Sequence, residues 1–486
     1  MPPVREDFLR LAPELVLCVT GILLMVMEPF LSRGRRTILA SIAGGGAVLA
    51  LAAVAYPALH QGSAFSGLLQ IDRFSIFFHA LIGLVVVLVM LASPDYLERE
   101  NLEHGEYYAL VLFAAAGMGV MVSAVELMTA FVGLEVSSIS TYILAGYRRE
   151  SPGSNEAAMK YFLLGSFATA FFLYGVALLY GATGTTRLEH MTVTALPGVA
   201  ELFHLGLALV LVGLGFKVAA APFQLWTPDV YQGAPTPVTA LLASGPKAAA
   251  FALLLRILMT VEGAGSFWFW ALWISAAATM IAGNLAALVQ TNIKRMLAYS
   301  SIAHAGYILV ALTAAAASDE PALGAAAVLY YLAAYTLMKF GAFVVVSQLG
   351  GASERHVEID DLAGLGSRQP ATAACFSLFL ISLLGLPVTA GFLGKFYIFN
   401  AALASQLIGL AILLALNSVI ASFYYLRVLV VMYMREPAEK MPKTPIPWAI
   451  ATVLLISAVG TLYLGLFPGR VMAFAAQAAQ SLPISK

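Results

Sequence analysis

Apolar runs of about twenty residues recur about fourteen times along this chain, joined by short polar links, and no other feature narrows its possible folds so far. A run of that length matches one helical crossing of a ~30 Å hydrocarbon core, where every backbone amide must bond within its own segment. The predicted fold is an all-α polytopic membrane protein. Composition agrees, since 61% of the 486 residues are hydrophobic and 11% are charged, against roughly 25% charged in soluble domains. The formal net charge is zero, so no nucleic-acid partner is indicated and lipid is the expected surrounding. The first run is too long for the apolar core of a signal peptide and has no small-residue cleavage site behind it, so it is read as a retained span.

Within this apolar setting, the stretch Gly215–Phe251 carries Lys217 and Lys247, with Pro222, Pro228, Gly233, Pro235 and Pro237 between them. An isolated charge at the centre of a spanning helix costs roughly 2.5–3.5 kcal/mol on insertion scales, so such residues face a protein interior or a water path. Proline inside a helix removes a backbone bond and clashes with the preceding turn. Helix 7 is therefore expected to break near Pro222. Broken backbone at membrane depth is tolerated where protein covers it or where it lines a cavity, and transporters place ion sites there. Helix 12 is also long, with Pro387, Gly391 and Gly394 ahead of Lys395. Two interrupted helices five apart point to two inverted five-helix repeats, helices 4–8 and 9–13, because an odd repeat length reverses the direction of crossing. The expected division is 1–106 for helices 1–3, 107–260 and 261–434 for the two repeats, and 435–486 for helix 14 and a mildly amphipathic C-terminal tail.

The basic residues orient the chain. With the N-terminus outside, the inside loops hold 13 of the 26 lysines and arginines and the outside segments hold 6. The positive-inside rule then places both termini on the external, periplasmic face of a bacterial inner membrane, with the 148–156 and 435–446 loops in the cytoplasm. The other seven cations, Lys160, Lys217, Lys247, Arg256, Lys339, Lys395 and Arg427, lie within spans or at their ends.

Each candidate has a functional and a structural reading. Glu135, near the middle of helix 5 in FVGLEVSSISTYILAGYRR, ionises if it sits beside a lysine ammonium; the alternative is a fixed ion pair that only joins helices. Lys160, at the start of helix 6, either takes part in ion chemistry or extends its amine to the headgroups. Lys247 lies about eleven residues into its helix from Pro237, roughly 16 Å deep and near the midplane, too far to reach water by extension. His304 is flanked by Ser300, Ser301 and Tyr307 and is either a proton relay or a satisfied core histidine. Lys395 follows the Pro387–Gly391–Gly394 break. Arg256 and Arg427, nearer helix ends, are expected to anchor to carbonyls or headgroups. Cys18 and Cys375 lie in apolar runs without a metal or redox spacing and read as packing residues. No Walker loop, HExxH, iron–sulfur spacing or dinucleotide fingerprint is present, so no cofactor is expected in this chain and any redox chemistry belongs to a partner.

Taken together, FVGLEVSSISTYILAGY, EAAMKYFLLGSF, APFQLWTPDVYQGAPTPVTALLASGPKAAAF, QTNIKRMLAYSSIAHAGY, GLPVTAGFLGKFYIF and ASFYYLRV, spread over about residues 126 to 434, resemble the antiporter-like membrane subunits of respiratory complex I, the subunit N type most closely. The resemblance implies fourteen helices with inverted repeats and broken helices 7 and 12. It also implies a proton path with Glu135 paired to Lys217, Lys247 linking two half-channels and Lys395 as the exit-side group. Lysine at this last position is similar to subunits N and L, whereas subunit M usually has glutamate there; the short C-terminal end is unlike the long lateral helix of subunit L. NADH, FMN, iron–sulfur clusters and quinone would then lie in partner subunits, and the neighbours would be other membrane-arm subunits, M and K among them. Lys339, in YTLMKFGAF, departs from the small neutral residue usual in that family. It is expected to face the interior and join a path with His304 and Lys395.

Three function classes remain at this point. They are a proton-translocating subunit of a NADH-quinone oxidoreductase, a subunit of a multisubunit sodium/proton antiporter, and a scaffold whose buried charges serve packing alone.

Overall fold

The computed structural model describes residues 5–31, 37–192, 198–261, 265–318, 320–436 and 445–483. Most of the 435–446 loop, from 437 to 444, lies outside the described residues. Thirteen helices among those described are long and apolar enough to cross a membrane, and the fourteenth crossing is made by two shorter helices in tandem. In chain order they are α1 (Ala12–Met27), α2 (Thr37–Ala53), α3 (Arg73–Arg99), α4 (Gly105–Ser123), α5 (Leu127–Ala145), α6 (Pro152–Thr183), the pair α7a (Val199–Val218) and α7b (Trp226–Gly233), α8 (Thr236–Thr260), α9 (Gly265–Leu288), α10 (Ile293–Ala317), α11 (Pro321–Leu349), the pair α12a (Pro370–Leu384) and α12b (Ala390–Ala404), α13 (Ile408–Met434) and α14 (Trp448–Leu466), followed by α15 (Gly469–Gln480). A two-stranded antiparallel hairpin, β1 (Gly62–Ala64) and β2 (Leu69–Ile71), joins α2 to α3 with Gly62 opposite Ile71. It marks one face of the molecule, called here the hairpin face.

Helices α8, α10 and α11 form the centre. Every residue of α8 from Thr236 to Thr260 is buried, and α8, α10 and α11 pack on one another. By contrast, α6 and α13 expose Phe162, Phe167, Tyr174, Leu416, Val419 and Phe423, the apolar periphery that a chain surrounded by lipid or neighbouring subunits requires.

Both interruptions occur where expected, each in the fourth member of a run of five helices. In helix 7, α7a ends at Val218, and Ala219 turns into the left-handed region with φ 63°. The freed backbone is satisfied by neighbours: Trp226 Nε1 donates to Phe216 O at 2.9 Å, Ala221 N to Thr279 Oγ1 at 2.8 Å, and Ser275 Oγ to Ala221 O at 3.1 Å. In helix 12, Gly385 ends α12a with φ +94°, a conformation that favours glycine. Gly391 begins α12b against Ser382, where any Cβ would collide with the Ser382 carbonyl; its N–H donates to Ser382 Oγ at 3.1 Å. The C-terminal tail, read from sequence only as mildly amphipathic, docks as α15 against α3 and α11, where Ser481 Oγ accepts from Phe74 N at 3.2 Å.

Candidate functional site

Four lysines, Lys217, Lys247, Lys339 and Lys395, have buried side chains within the span, and among the described residues none forms an ion pair. Two of them sit at the helix breaks. Lys217 occupies the last turn of α7a, and Lys395, from α12b, reaches back across the break to donate to Leu384 O at 2.9 Å. A cation suits the C-terminal end of a helix because the unsatisfied carbonyls there carry partial negative charge.

The other two lysines meet on adjacent serines. Lys247 is eleven residues past Thr236 on α8 and Lys339 is ten residues short of Leu349 on α11, so both lie ~15 Å inside the same face at 1.5 Å per residue. Lys247 Nζ donates to Ser301 Oγ at 2.7 Å and to Ser301 O at 2.9 Å, and Lys339 Nζ donates to Ser300 Oγ at 2.8 Å. Ser301 Oγ is hydrogen-bonded to Tyr335 OH, and Ser300 Oγ to Tyr425 OH. The chain of hydroxyls continues to His304, whose Nε2 lies 3.1 Å from Tyr425 OH and whose Nδ1 lies 2.6 Å from Tyr331 OH. Tyr331 in turn packs on Gly394, next to Lys395, so closely that a Cβ on Gly394 would stand 2.6 Å from its ring. Lys339 and His304 thus share a hydrogen-bonded seam through Ser300 and Tyr425, Lys247 and Tyr335 form a second, adjoining one on Ser301, and Lys395 lies over the ring of Tyr307 at 4.8 Å.

Rings take the place of counter-ions throughout. Lys217 Nζ lies 5.0 Å from the Tyr142 ring and 5.2 Å from that of Tyr161, Lys247 lies 5.7 Å from Tyr335, and Lys339 lies 5.7 Å from Phe343, all within the range of cation–π attraction. No ion pair joins Glu135 to Lys217 among the described residues. Glu135 is partly exposed on α5, and its Oε1 is buried with no hydrogen-bond partner. Lys160 is elsewhere: its amine bridges Asp229 at 2.6 Å and Glu156 at 2.7 Å on the face opposite the hairpin, with Arg295 on the other oxygen of Asp229.

Several groups escaped sequence reasoning. Tyr331 and Tyr335 are two such groups; they precede Lys339 at steps of four residues, which puts them on its face of α11, and that spacing was readable. Arg256 makes a bidentate ion pair with Asp72, at 2.9 and 3.1 Å, and also donates to Val122 O at 3.1 Å. This corrects the expectation of carbonyl or headgroup anchoring alone. Arg427 does anchor to carbonyls, those of Leu288 and Gln290. Lys294, counted with the inside loops, is buried at the start of α10 and donates to Glu354 Oε2 and to Ala234 O, both at 2.7 Å. Glu354 also accepts from Thr236 N, Thr236 Oγ1 and Tyr96 OH. Burial alone would raise the Glu354 carboxyl, but the Lys294 ammonium and the Thr236 donors outweigh it and hold the group below the usual carboxylate range. No signal in GGASERHVE distinguished this residue from a solvated loop glutamate. Among the described residues, no group of three His, Cys, Asp or Glu side chains is arranged to hold a metal ion.

Two helices broken at membrane depth and a row of buried lysines without counter-ions define a class, that of the antiporter-like polytopic membrane proteins. Residues 124–421 match the family described as NADH:quinone oxidoreductase/Mrp antiporter, TM, and the chain belongs to that family. It is 50% identical over 481 residues to NADH-quinone oxidoreductase subunit N 1 of Solibacter usitatus (strain Ellin6076), covering 98% of each chain. Among solved structures, a chain of respiratory complex I from Thermus thermophilus with bound aureothin is 38% identical, with a TM-score of 0.82 over 96% of this chain and 99% of that one. A chain of the Mrp complex from Dietzia sp. DQ12-45-1b shares the fold, at 23% identity and a TM-score of 0.84 over 98% of both chains.

Proposed function

We propose that this chain is the proton-translocating subunit N of a NADH-quinone oxidoreductase, set in the membrane arm of a bacterial inner membrane with both termini external and with subunits of the M and K types as neighbours. The family and the relative from Solibacter support the assignment to that complex. NADH, FMN, iron–sulfur clusters and quinone belong to partner subunits in this reading, and the 107–260 and 261–434 segments act as the two half-channels. The observation that carries proton movement is the seam from Lys339 through Ser300 and Tyr425 to His304 and Tyr331, with Lys247 on the adjacent Ser301 beside it, made of groups that each both donate and accept or can shed a proton. Lysines held by hydroxyls, carbonyls and rings lose little when they become neutral amines, whereas a lysine locked to a carboxylate does not release its proton.

The proposed cycle begins at Lys217. When Glu135 is close, its charge favours the ammonium; when it moves away, the proton of Lys217 is driven toward Lys247, and from there along the α10 seam to Lys395. Lys160, bridged to Asp229 and Glu156 near the opposite face, would set the charge at proton entry in this reading without releasing its own proton. The test is proton pumping per electron pair in membranes holding equal amounts of assembled enzyme. Full pumping in both Glu135→Gln and Lys247→Arg refutes the relay. The family description also covers Mrp antiporters, so exchange of sodium for protons without NADH oxidation is the second reading; pumping that stops when sodium is removed would favour it.

A further inference from the structure

A second buried titratable pair lies outside the lysine row. Glu14 on α1 and His79 on α3 meet with Oε1 3.0 Å from Nε2, and both side chains are almost wholly buried. The space for the carboxylate is built in: Gly119 on α4 faces it, and a Cβ there would collide with Glu14 Oε1. His79 Nε2 also lies 3.2 Å from Gly119 O and 3.0 Å from Ser123 Oγ. With a carboxylate and a carbonyl around it, Nε2 carries the hydrogen and donates. The outer atoms of the pair, Glu14 Oε2 and His79 Nδ1, are buried with no partner. A finished structural ion pair satisfies its remaining lone pairs and protons with further hydrogen bonds, and this one leaves one position open at each end.

The pair also lies near a cavity. On the hairpin face a cavity of about 920 Å³ is lined by Gln70, Asp72, Arg187, Arg256 and Thr260 among others. Asp72 caps α3, two helical turns before His79, with its Oδ1 accepting from Ser75 N at 2.7 Å. Arg256 binds both Asp72 oxygens and Val122 O, and the next residue, Ser123, places its hydroxyl on His79. The contacts therefore tie the cavity wall at Arg256 and the Val122–Ser123 backbone to His79 and Glu14, which places the pair behind that wall. Charged and titratable groups acting on the pair are Asp72 at the N-terminus of α3, itself clasped by Arg256 of α8, and the Cys18 thiol one turn along α1; α2 (TILASIAGGGAVLALAA) contributes none.

We propose that Glu14 and His79 form a proton-exchanging site that takes one proton from water in the hairpin-face cavity, the pair passing from a net charge of −1, as carboxylate and neutral imidazole, to zero. The added proton rests on Glu14 Oε2, one of the two unpartnered atoms, and returns to the cavity when the pair ionises again. This site is separate from the lysine row and does not depend on that row pumping.

The test is an infrared difference spectrum, acidic minus mildly alkaline, on the assembled enzyme. A protonated carboxyl C=O band is expected that disappears in Glu14→Gln and shifts in frequency in His79→Gln, while Lys247→Ala leaves it in place. Identical spectra in wild-type and Glu14→Gln enzyme would overturn the proposal and leave the pair as a fixed helix tie. If Glu14→Gln fails to assemble, Glu14→Asp keeps the carboxyl and must move the band; an unmoved band is again a refutation. Thr260→Trp, which narrows the cavity beside Arg256 without touching the pair, should slow the appearance of the band after a pH jump, and an unchanged rate overturns entry from this face. A failed lysine relay with an intact Glu14 band would refute the proposed function alone.

Discussion

The charges at the two membrane faces and the charges at the centre are held in opposite ways. Near the faces, Arg256 is clasped by Asp72, and Lys294 by Glu354. At the centre, Lys217, Lys247, Lys339 and Lys395 have hydroxyls, carbonyls and aromatic rings but, among the described residues, no carboxylate within ion-pair distance. Removing one partner of a buried ion pair costs roughly 3–5 kcal/mol, because the other charge is left uncompensated. A lysine without a counter-ion escapes much of that cost by releasing its proton. Paired charges near the faces thus fix helices in place, whereas unpaired cations at the centre keep two accessible protonation states. The same residue type does either job, and its partner decides which.

The sharpest break in this contrast is Lys247→Arg. Guanidinium keeps its proton under any physiological condition, so pumping per electron pair should fall to background while the amount of assembled enzyme, read by native gels, stays near wild type. Pumping that survived would make Lys247 a structural cation like Arg256. The reverse pattern is expected of Glu354→Gln: it leaves Lys294 buried without its counter-charge, at a cost of roughly 3–5 kcal/mol, so thermal stability and assembly drop, yet each complex that does assemble pumps normally.

Smaller effects refine the central row. Glu135→Gln should slow proton uptake roughly tenfold, equivalent to ~1.4 kcal/mol in the barrier, and Glu135→Asp should do far less because the charge survives; equal losses in the two would detach Glu135 from Lys217. Lys339→Met should reduce pumping only in part, since Lys247 keeps its own serine. Stopped-flow measurement of the pumping rate would show whether Lys339 matters at all. The smallest effect concerns pH. The Glu354 carboxyl is held down in the folded chain, so its contribution is fully present above the ordinary carboxyl value of about 4.3 and is lost as pH falls through the lower, folded value. Acid sensitivity of the detergent-solubilised complex should therefore flatten in Glu354→Gln.

Much of the central arrangement is legible in the amino-acid sequence. The apolar runs match the bilayer in length, and Pro222 and Pro387 mark the two breaks. Lys217, Lys247, Lys339 and Lys395 stand out because a charge in an apolar run is costly wherever it is found. The His304 environment is half legible: Ser300 and Ser301 adjoin it in sequence, but Tyr331 and Tyr425 come from α11 and α13.

By itself, then, the sequence determined the number of crossings, the two interruptions and the four unpaired lysines within the spans, because each follows from one segment meeting the bilayer and needs no knowledge of its neighbours. Only the tertiary structure decided which cation has a counter-ion. Asp72 and Arg256 are 184 positions apart and Lys294 and Glu354 are 60. Ion pairing and hydrogen bonding act over a few ångströms, and the choice among many possible helix neighbours is made by packing, which leaves no periodic mark along the chain.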